Sequence, residues 1–148
     1  NLGVQLPKGR AKRYDLADDV VVLDETYNAG LESMLAALQL LKETPGDRHI
    51  AVLGTMKELG DKSQDYHYKV GERVAQLGID RLLVLVDDQE TEAIADAAKE
   101  TVTECFRDRD RLMTRLQEVV RSGDRLLFNA SNSVGLNKVV EKFLAVRN

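Results

Sequence analysis

The sequence predicts an α/β protein with a Rossmann-like, mostly parallel sheet, helices on both faces, and one antiparallel strand or hairpin near the N-terminus. Short apolar runs alternate along the chain with longer segments whose apolar residues recur at helical spacing. Several of the runs are continuously apolar, such as Arg81–Val86 after its first residue, which is typical of strands buried on both faces of a parallel sheet. Regular alternation of such strands and helices indicates parallel strands with right-handed crossovers.

The composition indicates one globular domain, residues 1–148. The chain is 43% hydrophobic and 31% charged, which is typical of a folded protein. A net charge of −4 argues against nucleic acid as a partner. We expect no membrane span, since no apolar run approaches the roughly 20 residues that one requires. A single cysteine, Cys105, and the absence of an apolar leader predict a reducing, cytoplasmic setting, and we expect a monomer.

The elements follow in a simple order. A hairpin is predicted where two strand-like segments flank a polar turn: Arg10–Leu16 and Val20–Leu23. The remaining strands are predicted at His49–Leu53, Arg81–Val86, Thr101–Phe106 and Arg125–Ala130. The helices are predicted at Leu31–Lys42, Lys62–Leu77, Thr91–Lys99, Asp108–Arg121 and Ser131–Val146.

Cys105 and His67 are interpreted as structural residues and not as catalytic groups or ligands. Cys105 lies in a predicted strand with no histidine nearby in sequence, so we expect a buried and inert thiol. His67 lies one turn inside a predicted helix, where a lone histidine is more often a surface or packing residue than a base or ligand.

Four loops follow the carboxyl ends of the apolar strands, and ligands of open α/β sheets bind at that edge. The loops are Asp24–Asn28, Gly54–Gly60, Val86–Asp88 and Asn129–Ser133. We therefore expect a polar ligand-binding edge built from these loops.

The first and last loops carry most of the polar groups. Asp24 and Glu25 could accept hydrogen bonds from ribose hydroxyls or hold a metal-bound water, and Asn28 offers both donors and acceptors. The alternative is that Asp24 or Asn28 only turns the chain and caps the helix. The last loop precedes a helix, whose free N–H groups suit a carboxylate or phosphate, but Ser131 or Asn132 could equally be an ordinary N-cap.

The second loop resembles a phosphate-binding loop only superficially. Residues 54–63 read GTMKELGDKS, but the glycines are one residue too far apart for G-x-x-x-x-G-K-[ST], and Asp61 stands where the lysine belongs. A structured connection, with Lys62 and Ser63 beginning a helix, is the simpler interpretation. The residues alone therefore predict a ligand-binding edge without a complete active site.

Three motifs in order resemble the C-terminal domain of the Mur ligase family, of the MurF type. The segments are PKGR at 7–10, LDETYNAGLESM at 23–34, and AVLGTMKELG at 51–60 followed by His67 and Val70-Gly71. In that type the segments read roughly P-G-R, D-D-S-Y-N-A-N-P-x-S-M, and V-L-G-D-M-x-E-L-G with H-x-x-V-G. The resemblance covers nearly the whole chain.

The resemblance implies a reaction and its partners. ATP phosphorylates a carboxylate of a UDP-MurNAc-tripeptide, and the amine of D-alanyl-D-alanine attacks the acyl phosphate to give an amide. The phosphate-binding loop and Mg²⁺ ligands of such ligases lie in a central domain that precedes this one. The chain is then a lid that closes over ATP with Mg²⁺ and is inactive alone, with its N-terminal and central ATPase domains lying outside this chain, and peptidoglycan synthesis is the process it serves.

The resemblance also assigns residues by position. The ATP-facing residues are Arg10, Asp24, Glu25, Tyr27 and Asn28. The substrate-facing residues are Asp87, Asp88, Ser131, Asn132 and Ser133. No catalytic residue and no metal ligand is expected in this domain.

The chain departs from the family pattern at functional positions. Glu25 replaces the second aspartate of the first loop, and Thr55 replaces the aspartate of the second. The family's last loop is commonly K-G-S-R, whereas residues 129–132 here read NASN, so two positive charges are missing. Two alternatives follow: a related ligase with a different amino acid acceptor, and a non-catalytic Rossmann-like binding or regulatory module.

Overall fold

A computed structural model describes residues 11–147 and contains six strands and five α-helices in that range. The strands are β1 (Lys12–Asp15), β2 (Val21–Glu25), β3 (Arg48–Leu53), β4 (Arg81–Leu85), β5 (Val102–Phe106) and β6 (Asp124–Asn129). The helices are α1 (Leu31–Glu43), α2 (Ser63–Gln76), α3 (Glu92–Ala97), α4 (Arg109–Val119) and α5 (Leu136–Arg147).

The strands form one sheet in the order β1-β2-β6-β3-β4-β5. The first two are antiparallel and make the predicted hairpin, whereas every other neighbouring pair is parallel. The predicted fold class is therefore confirmed. The last strand, β6, returns to lie between β2 and β3, near the middle of the sheet.

Helices cover both faces of the sheet, as the buried strands require. One core contains alternate strand residues such as Leu23 and Leu127, packed against α1, α2 and α3. The other contains the intervening residues, such as Val22 and Phe128, packed against α4 and α5. This period-two alternation decides which face each polar residue near a strand end will occupy. No helix within residues 11–147 combines the length and apolar character needed to cross a membrane.

An ion pair anchors the amino ends of two central strands. Asp124, at the start of β6, is 0% exposed. Arg48, its register partner at the start of β3, reaches it with two nitrogens, at 2.9 and 2.8 Å. The same guanidinium donates a 2.8 Å hydrogen bond to the carbonyl of Val119 at the end of α4. The pair therefore joins β3, β6 and α4 at the edge opposite to the predicted ligand-binding loops.

The predicted helix Ser131–Val146 is wrong at its start. Residues Asn132–Val134 form a separate 3₁₀ turn, and α5 begins only at Leu136. Gly135 separates the two with a φ of 81°, a left-handed conformation that glycine adopts without steric cost. The last loop is therefore longer than expected, and Ser131 is not at the N-terminus of an α-helix.

The expectation of a buried Cys105 is also wrong. Its strand, β5, is the outermost of the sheet, and the cysteine is exposed. Local desolvation and the nearby Glu92 raise the pKa of the thiol, which disfavours the reactive thiolate. The raised pKa supports the expected inertness of the thiol, which stays a prediction.

Candidate functional site

The four predicted loops meet at the carboxyl edge of the sheet, because β2, β6, β3 and β4 are consecutive neighbours. The chain leaves β2 and β3 towards helices on one face, whereas it leaves β6 towards α5 on the other. Opposite departures from adjacent strands open a crevice between their loops, which is the usual ligand site of open α/β sheets.

A polar cleft of about 370 Å³ lies at this point. Its described lining comes from three of the four loops: Tyr27, Asn28, Ala29, Lys57, Glu58, Ser131, Asn132 and Ser133. The Tyr27 side chain is exposed, as are Asn28, Asn132 and Ser133. Hydroxyls, amides and one ammonium thus converge on a single opening.

Three hydrogen bonds fasten the second loop to the last. Gly54 N donates to the Asn129 carbonyl at 3.0 Å, and Ser131 N donates to the Thr55 carbonyl at 2.9 Å. Lys57 N donates to the Ser131 hydroxyl oxygen at 2.8 Å. Ser131 is at the N-cap position of the 3₁₀ turn, but its side chain makes no capping hydrogen bond. Its hydroxyl oxygen instead joins the two loops, and the hydroxyl hydrogen can still be donated to a ligand.

His67 holds the second loop from beneath. The imidazole is 0% exposed, and its Nε2 accepts a 2.9 Å hydrogen bond from Met56 N. Since Nε2 is the acceptor, Nδ1 carries the hydrogen and donates it to the Ser63 carbonyl at 2.7 Å. The packing interpretation of His67 is confirmed, and the predicted structured connection is correct, with α2 beginning at Ser63.

We expect His67→Ala to lower the free energy of unfolding by about 2 kcal/mol, because it leaves a cavity and a buried N–H without a partner. His67→Gln keeps an acceptor near the Nε2 position and should cost about half as much. Urea unfolding of both variants measures the difference. Equal losses in the two variants would contradict the assigned role of the Met56 hydrogen bond.

Lys57 and Asp87 form a charged bridge between the second and third loops. Lys57 Nζ lies 2.8 Å from Asp87 Oδ2 and 3.9 Å from Asp88 Oδ2. The Thr55 hydroxyl donates to the other oxygen of Asp87. Although partial burial opposes it, these bonds lower the pKa of Asp87, and the same carboxylate raises the pKa of Lys57.

The two predicted aspartates of the third loop have structural partners. Both oxygens of Asp87 are engaged by Thr55 and Lys57. The side chain of Asp88 accepts hydrogen bonds from the backbone of Glu90 and Thr91, so it caps the short turn before α3. Neither is among the described residues that line the cleft, so they border it without forming its wall.

Sequence reasoning missed Lys57 as a cleft residue. Its position is unspecified both in the phosphate-binding motif and in the family segment V-L-G-D-M-x-E-L-G that the loop resembles. The available signal was the clustering of the second and last loops at one edge, which places a lysine of the former beside the serines of the latter.

The acidic pair of the first loop divides between the two faces of the sheet. Asp24 is half-buried, and its Oδ1 accepts hydrogen bonds from Thr26 N at 3.0 Å and from Thr26 Oγ1 at 2.7 Å. These contacts agree with the alternative in which Asp24 turns the chain after β2. The cap of α1 involves Gly30 and Ser33 rather than Asp24 or Asn28.

Glu25 points to the opposite face and is only 1% exposed. It contributes to a separate cavity beside α1 and does not line the polar cleft. Burial raises the pKa of its carboxyl to about 7, despite a hydrogen bond from Tyr27 that lowers it. Both acids were expected to face a ribose, but alternation along a strand gives neighbouring residues opposite directions, so Glu25 reaches the cleft only through Tyr27.

A second buried polar group lies beside Glu25. The register pairs Glu25 with Asn129 on β6, and Asn129 is 0% exposed. Oε1 of Glu25 and both amide atoms of Asn129 lack hydrogen-bond partners among the described residues. Leaving such groups unpaired is costly, so this site destabilises the folded state while the Glu25 carboxylate is charged.

Two further expectations concern Arg10 and metal binding. Arg10, expected to reach ATP phosphate or ribose, lies outside the described residues. Within residues 11–147, no group of three or more histidine, cysteine or acidic side chains is arranged to hold a metal ion. The described part of the cleft presents hydroxyls, amides and one ammonium, which are groups suited to a polar, hydrogen-bonding ligand.

Fold and cleft together define a Rossmann-like domain with a polar cleft at the carboxyl edge of its sheet. Comparison with known families narrows this class: residues 9–132 match the family described as Mur ligase, glutamate ligase domain. The chain belongs to the Mur ligase family.

Curated relatives indicate the type within the family. The UDP-N-acetylmuramoyl-tripeptide–D-alanyl-D-alanine ligase of Synechocystis is 56% identical over 144 residues, which is 97% of this chain and 32% of the relative. The Escherichia coli enzyme of the same name is 38% identical, over 89% of this chain and 28% of the relative. This chain therefore spans about a third of the length of the relatives it matches.

Solved structures agree with the fold. A MurF ligase from Thermotoga maritima, crystallised with ADP, superposes with a TM-score of 0.81 at 31% identity. The alignment covers 98% of this chain and 33% of that one. A MurF from Acinetobacter baumannii gives a TM-score of 0.80 at 26% identity, over 96% of this chain and 31% of that one.

Proposed function

We propose that this chain is the C-terminal lid domain of an ATP-dependent ligase that adds D-alanyl-D-alanine to a UDP-MurNAc-tripeptide in peptidoglycan precursor synthesis. The observation that carries the proposal is the convergence of the Tyr27–Ala29 and Ser131–Ser133 segments on one polar cleft. The similarity to MurF-type relatives over 97% of the chain supports it.

The proposal divides the reaction between domains. A central domain outside this chain binds ATP and Mg²⁺ and transfers the phosphoryl group to the substrate carboxylate. We derive no metal step from this chain, because its described residues offer no metal-binding group. Consumption of ATP and a UDP-linked precursor places the complete protein in the cytoplasm, and we expect it to act as a monomer.

In this proposal the lid orients the reactants and excludes water from the active site. Closure over the acyl phosphate brings the incoming amine into line with the reacting carbonyl and excludes water that would hydrolyse the intermediate. In this proposal Asp24, Tyr27, Asn28 and Arg10 face the nucleotide, and Glu25 acts by holding Tyr27. The last loop, residues 131–133, receives the dipeptide.

A phosphate-release assay on the complete protein tests the function. Phosphate should appear only when ATP, the UDP-MurNAc-tripeptide and D-alanyl-D-alanine are all present. Release with another amino acid in place of the dipeptide would favour the alternative acceptor, which the missing basic residues at 129–132 make a specific possibility. No release with any acceptor would favour the non-catalytic module.

The domain organisation has its own test. The coding sequence upstream of Asn1 should encode a central domain with an intact G-x-x-x-x-G-K-[ST] loop. An unrelated domain there would leave the chain without a partner to phosphorylate the substrate.

Substitutions distinguish the residues proposed to bind the dipeptide from those proposed to bind ATP. We expect Ser131→Ala in the complete protein to raise the KM for D-alanyl-D-alanine about threefold to tenfold, because it removes one hydrogen bond to the ligand. Asn28→Ala and Arg10→Ala should mainly raise the KM for ATP. Steady-state kinetics measure both constants, and unchanged values in all three variants would exclude these residues from the site.

A further inference from the structure

The cleft contains an ammonium group, that of Lys57, in addition to the hydroxyls and amides of its wall. Among the described residues that line it, Lys57 carries the one positive charge. Its side chain is 34% exposed, so it is neither buried in the loop nor free in solvent. It lies in the same wall as Ser131, since its backbone N–H donates to that hydroxyl.

The bridge to Asp87 fixes this ammonium in place. Asp87 accepts one hydrogen bond from Lys57 at 2.8 Å, while Thr55 fixes the other oxygen of the carboxylate. Asp88 is 3.9 Å away, beyond hydrogen-bond distance, and its carboxylate is occupied in capping. An ammonium has three donors, so at least one N–H of Lys57 remains for a ligand.

We propose that Lys57 binds an oxyanion of the ligand in the cleft, either the carboxylate of the amino acceptor or a phosphate of the nucleotide. This inference rests on the proposed function for the identity of the ligand. The last-loop residues that line the cleft, Ser131–Ser133, are uncharged, and Lys57 supplies a cation to the same cleft from the second loop.

The other charges near the cleft limit the size of the effect. Glu58 is exposed and also lines the opening, while Asp87 and Asp88 partly neutralise the ammonium. The charge balance therefore disfavours a diffuse attraction of anions. What Lys57 offers is a local, positioned donor to one oxyanion, next to the hydroxyl of Ser131.

Kinetics of the complete protein test the assignment. Lys57→Gln should raise the KM of the ligand bearing the oxyanion about tenfold and leave kcat nearly unchanged. A higher KM for the acceptor identifies a carboxylate, whereas a higher KM for ATP identifies a phosphate. Lys57→Arg should retain most of the affinity. Lys62→Gln removes an equal charge from an exposed position outside the described cleft lining and should change neither constant.

A rescue experiment separates binding from loop structure. Adding Asn132→Arg to the Lys57→Gln variant returns a cation to the cleft without restoring the bridge to Asp87. Because residue 132 lines the same cleft, we expect a local cation there to recover part of the affinity lost with Lys57. A raised KM that Asn132→Arg does not lower, or no change in either KM, would overturn the inference.

A binding measurement tests the role of Lys57 without requiring that the protein catalyse the proposed reaction. The NMR signal of the Lys57 side chain should shift on titration of the complete protein with acetate or inorganic phosphate. If the wild-type protein releases no phosphate with any acceptor, the proposed function fails while this titration still decides the site. Absence of any shift with both anions would show that Lys57 binds no oxyanion.

Discussion

Replacing Arg48 by methionine is expected to lower the free energy of unfolding by about 3–5 kcal/mol, the largest effect of any substitution considered. Asp124 is 0% exposed, and among the described residues its carboxylate would keep only the 2.9 Å hydrogen bond from the Arg121 backbone. An uncompensated buried charge is far costlier than the loss of an exposed ion pair. Urea unfolding of the single variant measures the effect.

The double variant Arg48→Met with Asp124→Asn provides the control. It removes the buried charge together with its partner, so it should be more stable than Arg48→Met alone. Arg13→Met removes an exposed partner of Asp15 and should change stability by less than about 1 kcal/mol. A loss of that small size in Arg48→Met would contradict the role assigned to the buried pair.

Glu25→Gln is expected to stabilise the protein by about 3 kcal/mol above pH 7 and by little at pH 4.5. The pKa of this carboxyl rises from its ordinary 4.5 to about 7 on folding. A raised carboxyl pKa means that the folded state binds the proton more tightly, so the contribution to stability is present below 4.5 and is lost as the pH rises to 7. At 1.36 kcal/mol per pH unit, that interval gives the stated magnitude.

The measurement is the difference in unfolding free energy between wild type and Glu25→Gln across this range. Glu43→Gln serves as the matched control, because Glu43 lines the same cavity but is exposed. A carbon-13 NMR titration of the Glu25 carboxyl should show a midpoint of about 7. Parallel stability curves for wild type and Glu25→Gln would show that folding does not shift this pKa.

The sheet and its ligand-binding edge were predictable because strands buried on both faces leave a clear apolar signal. Runs such as Arg81–Val86 ended within a residue of the strands observed. The loops after them could be placed together because parallel strands share one carboxyl edge. The sequence therefore predicts correctly at which edge of the sheet the cleft lies.

The predictions that were wrong or missing depend on tertiary structure, which the local sequence pattern does not contain. Cys105 was expected to be buried because its run is moderately apolar, but strand order makes β5 an edge. The start of the last helix was missed because a left-handed Gly135 interrupts it, and glycine alone does not reveal its φ. The partner of Lys57 was hidden because the two loops it joins are distant in sequence.

The most direct test of the central claim is a crystal structure of the complete protein with a non-hydrolysable ATP analogue, the UDP-MurNAc-tripeptide and D-alanyl-D-alanine. The account predicts the dipeptide between the Tyr27–Ala29 and Ser131–Ser133 segments, with its carboxylate or a nucleotide phosphate within hydrogen-bond distance of Lys57. Density for the dipeptide in the groove between β5 and α4, beside Cys105 and Arg111, would contradict it.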